Sequence, residues 1–500
     1  MEIGFENKVI NVYRELCRQT KHVQVSAESV VPDTDEDIGR VASVQSSVLL
    51  KSKDLTGRGV LISGEASASL LYITEDQQRV SFVRLSKSFT IEYEAADIDS
   101  ETVAQIHLAV LNAEARVINP RKVSVTFELS AELSCYKKEE LCVDTALPER
   151  ERRGVHAKYD DRELVFANAA CEKTFAINEQ FAFPTGKPSP CKLVSHKVEL
   201  VISDSQLIGT KVIVKGSAEI ALCYLSQDVS YPVKTEFSAP FSQIIDVGEE
   251  SMDSCIVTPE LTSCYFDLID TMSGEKALDM EIHAVMQLVC RCRKRMRYVS
   301  DVYSNLMPAS CEVKNCQYTV ASDVQRVKLS ADERISIVDD CTDVLSAFVS
   351  IAHLSQEQGK LNAGVNIDVV YRTKSGLLSS ARRTISMEGE CGAANIRIIS
   401  SRLTDVYLRP DSQFIDGHMS VELSYLVCTN VELNKVSSVT LDDQAPFDLS
   451  RYPTVTMVRA GGESLWELAK QYHSSVERIS AMNEIDGDIN GKMLLIAKSV

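Results

Sequence analysis

This sequence lacks every common signature of chemistry. It has no G-x-x-x-x-G-K-[ST] phosphate loop, no H-E-x-x-H, no G-x-S-x-G elbow and no G-x-G-x-x-G, and its eight histidines are scattered. A non-enzymatic protein without a cofactor is expected. No apolar stretch approaches the ~20 residues that span a bilayer, so no integral membrane segment is expected either. Met1 to Thr20 carries Glu2, Glu6, Lys8, Arg14, Glu15 and Arg18 around no apolar core, which is not how an export signal reads. Positive charge is in deficit: the net charge of −18 argues against nucleic acid or an anionic membrane as a general partner. A disulfide framework is also missing. Fifteen cysteines is an odd count, dispersed through apolar runs such as Leu222-Cys223-Tyr224, and reads as reduced, buried thiols of a cytosolic protein. Cys290 and Cys292 share one face of an expected strand without the second pair that a zinc site needs.

What is present is ordinary in bulk, 44% hydrophobic and 25% charged, and at 500 residues too long for one core. A repeat runs through it. Val60-Leu61-Ile62-Ser63-Gly64-Glu65-Ala66 through Leu70-Leu71-Tyr72 matches Val212-Ile213-Val214-Lys215-Gly216-Ser217-Ala218 through Leu222-Cys223-Tyr224, an offset of 152 that Phe89 and Phe241 keep. Val365 to Tyr371 is a third, more diverged copy. The apolar period within the copies is two, as in Val123, Val125, Phe127 and Leu129, so they are half-buried antiparallel strands. Phe5, Val9, Val12 and Leu16 instead fit an amphipathic first helix. Pro148 to Gly154 has the composition of an exposed linker, so the units are expected as separate domains on a string. The basic run Arg291, Arg293, Lys294, Arg295 and Arg297 reads as a strand edge guarded by charge.

Residues 454–500 change character. Ser464 and Glu467 form an S-x-x-E capping box and Ser474 and Glu477 a second. Leu465, Leu468, Ala469 and Tyr472, then Val476, Ile479 and Met482, follow at helical spacing between Thr454–Val458 and Met493–Ile496, two β-rich runs. The order strand, helix, helix, strand resembles a LysM module, best known for binding N-acetylglucosamine polymers and in some cases proteins. Trp466, the only tryptophan, is either an exposed anchor or part of this small core.

The repeats resemble the SPOCS domain, and the whole chain resembles the SipL-like family of clostridial spore-formers, in which SPOCS repeats end in one LysM. The fold class expected is therefore mainly β: tandem β-sandwich-like SPOCS repeats and a small βααβ LysM domain. The division expected is an N-terminal helix at 1–22, repeats at 23–147, 163–322 and 323–438, linkers at 148–162 and 439–453, and LysM at 454–500. The resemblance implies a scaffold of spore coat assembly in the mother-cell cytoplasm at the forespore surface, whose LysM docks on the spore coat morphogenetic ATPase. A peptidoglycan- or chitin-type glycan-binding protein of the cortex or wall is the alternative. In LysM modules two loops line the binding groove, here Gly462, Glu463, Ser464 with Trp466 beside them, and Asn483, Glu484, Ile485 and Asp486. The second loop carries Glu484, Asp486 and Asp488, which suits a basic protein surface better than a neutral sugar.

Overall fold

The computed structural model describes residues 2–146, 154–248, 252–272, 274–338, 340–411, 413–485 and 487–498. Strands dominate. After a short β1 (Glu2–Ile3), the first unit comprises β2 (Glu6–Val30), β3 (Ile38–Thr56), β4 (Gly59–Thr74), β5 (Val80–Glu94), β6 (Val103–Asn119) and β7 (Lys122–Ala146). The second comprises β8 (Val155–Ala182), β9 (Pro190–Ile208), β10 (Lys211–Ser226), β11 (Val233–Asp246), β12 (Ser254–Asp270) and β13 (Lys276–Ser304). In the third, the opening strand is split into β14 (Ala309–Ala321) and β15 (Gln325–Ser336), followed by β16 (Cys341–Glu357), β17 (Lys360–Thr373), β18 (Leu378–Glu390), β19 (Ile396–Asp411) and β20 (Phe414–Leu441).

One topology recurs. The second, third and fourth strands of each unit form an antiparallel sheet, β3-β4-β5, β9-β10-β11 and β16-β17-β18. The last strand pairs with both the fifth and the first, as in β6-β7-β2, and the two sheets face each other across one core. On β7, Val123, Val125, Phe127, Leu129, Ala131 and Leu133 are all buried at every second position. They meet Val60, Ile62, Leu70 and Tyr72 of β4.

The repeated Gly and Tyr have direct causes. Gly64 lies opposite Phe89 and Gly216 opposite Phe241 in the ladder, and each phenyl ring lies over the bare glycine. A Cβ would stand 2.4 Å from Phe89 Cζ and 2.7 Å from Phe241 Cζ. The Tyr72 and Tyr224 hydroxyls donate to Glu36 O and Pro188 O, both at 2.9 Å, and so tie each unit's opening turn to its central strand.

Three expectations fail. Residues 6–22 are strand, not helix: β2 pairs with β7 along its length, Ile10 and Val12 are buried, and Val9 is exposed. A long-range ladder outweighs a four-residue stripe at helical spacing. The second half of the expected 148–162 linker is also strand, since Val155 to Arg162 pair with Ser304 to Met296; residues 147–153 lie outside the described residues. Its charges are cross-strand partners, Asp161 standing 3.1 Å from Arg295. Likewise β14, expected to end the second repeat, belongs with β20 of the third unit.

Nor are the units beads on a string. Their three-stranded sheets converge on one apolar cluster, with Leu71, Ile73 and Phe82 from the first, Val194 and Cys223 from the second, and Phe348 and Val370 from the third. Hydrogen bonds close the ring: Ser69 Oγ to Val194 O, Lys234 Nζ to Ala347 O, and Ser380 Oγ to Val41 O. The long strand pairs also outrun their sandwiches as two-stranded ribbons, which bury one another. Ile10, Val12, Leu164, Phe166, Met296, Tyr298 and Leu433 make one shared layer, and Ile3, Val155, Val302, Val436 and Val439 another at the ribbon ends.

Replacing Gly64 with Val should destabilise the protein by about 1–3 kcal/mol, because the added methyls meet Phe89 and a close-packed neighbour strand. Urea unfolding measures it, and a midpoint unchanged from the parent protein would contradict the packing of Phe89 on the glycine.

Candidate functional site

The terminal module folds as β21 (Val455–Arg459), α1 (Leu465–Gln471), α2 (Val476–Asn483) and β22 (Met493–Ala497), with β21 and β22 antiparallel. Its core is Ala460, Leu468, Ala469, Ile479, Leu494 and Ile496. Ser464 caps α1 as the spacing predicts: its Oγ accepts from Glu467 N, and Glu467 Oε2 accepts from Ser464 N at 2.7 Å. The second cap is Ser475, whose Oγ accepts from Arg478 N; the expected Ser474 instead donates its hydroxyl to Ala497 O. With Ser475 as the cap, the third helical residue is Arg478, so the expected box with Glu477 is replaced by a single serine cap.

The expected loop residues divide into structural and exposed ones. Gly462 sits at φ +114°, a backbone conformation that side chains rarely adopt. The Glu463 carboxylate accepts from Gly461 N at 2.7 Å, and backbone N–H donors hold it below the usual carboxylate range. Asn483 is a clamp: its amide donates to Ile479 O and Leu495 O and accepts from Leu495 N, all within 2.6–2.7 Å, which occupies the open edge of β22. Ile485 packs on the module core. Glu484 ends α2 at φ +45° and is exposed, and Asp486 lies outside the described residues.

Trp466 takes neither expected role alone. Its indole crosses edge-on to Tyr303, 4.7 Å between ring centres, and its Nε1 donates to Asp301 Oδ2 at 2.8 Å. Both partners belong to the end of β13. A bulge between Val299 and Asp301 turns Asp301 toward the module, where Lys470 also reaches it at 3.2 Å. The Tyr303 hydroxyl donates to Ser474 O at 2.8 Å, and burial pushes that phenol up. The connection to the module is pinned as well: Phe447 N donates to Leu306 O, and Lys498 Nζ to Leu449 O and Tyr452 O. The module is therefore seated on the end of β13, and nothing in its own sequence signals that seat.

Elsewhere, perturbed ionisable groups mark junctions between units. Arg397 of β19 donates to the Tyr136 hydroxyl at 2.9 Å and to Ser134 Oγ, with Glu15 3.7 Å away. Burial lowers its affinity for a proton, but Tyr136 and the carboxylates of Glu15 and Glu132 outweigh that and raise it. Gln287 Oε1 accepts from Ile106 N and its amide donates to Ile106 O, both at 2.7 Å. Arg291 is buried and donates to Ala321 O and Ser322 O; burial lowers its pKa. It is thus an inter-unit clasp and not, as expected, part of a solvated edge. Others of that basic run have partners: Arg293 lies 3.9 Å from Asp323, Arg295 pairs with Asp161, and Arg297 stacks 4.3 Å above the Tyr159 ring. Where the third unit overhangs the second, a cleft of about 890 Å³ is lined by Lys197, Glu199, Glu219, Glu236, Ser346 and Arg402 among others. Burial lowers Lys234 and raises Glu199 there. Among the described residues, no group of three or more His, Cys, Asp or Glu is arranged to hold a metal ion.

Residues 191–269 match a family model described as SipL, SPOCS domain. The match covers the β9-β10-β11 sheet and nearly all of β12. No curated protein and no solved structure matches the chain.

Replacing Asp301 with Ala should unseat the module. Trp466 is the sole tryptophan, so its fluorescence should shift to the red as the indole loses its partner and gains water, and protease cleavage within residues 442–453 should accelerate. Emission and cleavage equal to those of the parent protein would refute the seat.

Proposed function

We propose that this chain is a non-enzymatic scaffold of spore coat assembly. Its three units are SPOCS-like domains, and its terminal module is a LysM that docks on the spore coat morphogenetic ATPase in the mother-cell cytoplasm, at the forespore surface. The observation that carries the reading is the SipL SPOCS match in the second unit, together with a topology that recurs on either side of it. The buried polar groups support it. Several are consumed in unit-to-unit bonds such as Arg397–Tyr136 and Gln287–Ile106, an arrangement that holds shape.

Docking would use what the seat leaves outward. With Trp466 turned to Tyr303 and Asn483 clamping β22, the contact falls to the exposed Gly462, Glu463, Glu484 and Asp488, with Asp486 between the last two in sequence. An acidic rim of this kind steers a basic protein surface and adds little for a neutral glycan.

Reversing charge at Glu484 and Asp486 to Lys should weaken capture of the ATPase from sporulating-cell extract and flatten its salt dependence. Changes at an exposed position such as Glu484 ordinarily move stability by less than about 0.5 kcal/mol, so the thermal transition should stay in place. Glu463 is left intact because its carboxylate holds the first loop. Capture unaffected by the reversal, with firm binding to peptidoglycan or chitin oligomers, would put the glycan reading first.

A further inference from the structure

Every cysteine among the described residues is a free thiol, but one pair is poised to be otherwise. Cys255 and Cys290 are directly opposed in the β12–β13 ladder, and their sulfurs stand 2.8 Å apart. A disulfide needs a sulfur separation of roughly 2.05 Å between residues whose Cβ atoms already face each other. Opposed strand positions satisfy the second condition, and the first asks for less than about 1 Å of sulfur movement with the backbone at rest. Cys290 is fully buried, whereas the Cys255 residue is only partly buried, so a reagent approaches the pair from the Cys255 side.

We propose that Cys255 and Cys290 are a site of oxidative modification, closed to an intramolecular disulfide by exchange with a low-molecular-weight disulfide such as oxidised glutathione. The Cys255 thiol loses its proton to solvent, and the thiolate attacks one sulfur of the small disulfide. A mixed disulfide forms and the first small thiolate leaves. Cys290 then loses its proton and attacks the Cys255 sulfur, forming the Cys255–Cys290 bond and expelling the second small thiolate. Two protein thiols are oxidised, and one small disulfide is reduced to two thiols.

The bond from Cys290, and then burial, raise the Cys255 thiol, so the pair is slow to react and persists as thiols where reductant is abundant. Its place in the fold gives the closure a purpose. Ser254, the first residue of β12, pairs with Arg291, the clasp to the third unit, and Asp253 N donates to Arg291 O at 2.8 Å. A disulfide one pair further along fixes the strand end beside that clasp. Cys171, facing the neighbouring Leu288 of β13, is a nearby thiol that could compete for Cys290.

The test treats the native full-length protein with excess oxidised glutathione at mildly alkaline pH, then blocks remaining thiols in denaturant and maps peptides by mass. The expected product is a cross-link of Cys255 to Cys290, lighter by two hydrogens and free of glutathione. Cys290→Ser should stop the reaction with glutathione retained on Cys255. Recovery of both residues as free thiols while exposed Cys191 is modified would overturn the proposal, as would a cross-link of Cys290 to Cys171. The wild-type peptide map decides the matter even if the Ser variant fails to fold.

Discussion

A two-stranded antiparallel ribbon cannot stand alone in water, because half of each strand's side chains have no layer to cover them. This chain makes three such ribbons by letting β2/β7, β8/β13 and β14/β20 run on past their sandwiches. The apolar face of each can be buried only by the other two. Ile10 and Val12, Leu164 and Phe166, and Leu433 therefore fix how the units stand. The converged sheets at the opposite end, around Leu71, Cys223 and Val370, follow from the same closure.

Closure brings polar backbone and side chains into dry junctions, where each unmet group would cost on the order of 1–3 kcal/mol. The junctions answer this with reciprocal bonds. Gln287 both accepts from and donates to Ile106, Arg291 takes the carbonyls freed where β14 and β15 part, and Arg397 spans Tyr136 and Ser134. Long polar side chains suit this task, since they reach across a gap between two rigid sheets and still meet a second partner. Their burial thus reflects architecture.

The strands themselves were readable because their cause is local. Period-two runs such as Val123 to Leu133 need only their own face to be buried, and the Gly64–Phe89 and Gly216–Phe241 pairs keep one spacing in both copies. The misread first helix sits where Val9, Val12 and Leu16 keep helical spacing, and the arbiter, β7, is more than a hundred residues away. Asp161 and Arg162 look solvated in sequence until the ion pair with Arg295 and the ladder partner Met296 are set beside them. For the candidate site the limit is the same. Ser464 as a cap is a three-residue pattern, but Asp301 as the partner of Trp466 lies 165 positions upstream in an unremarkable strand end.

Three ribbon-bearing units around one axis is a shape that a homotrimer could build from a chain a third as long. Covalent linkage permits what symmetry forbids: at equivalent positions facing the axis stand Phe82, Lys234 and Ser380. More consequentially, a homotrimer would carry three copies of anything attached to its end, whereas this bundle carries one module, seated on one strand of one ribbon. Its valence through that module is one. Three attached modules could cross-link whatever they met; a single module meets its counterpart once per chain.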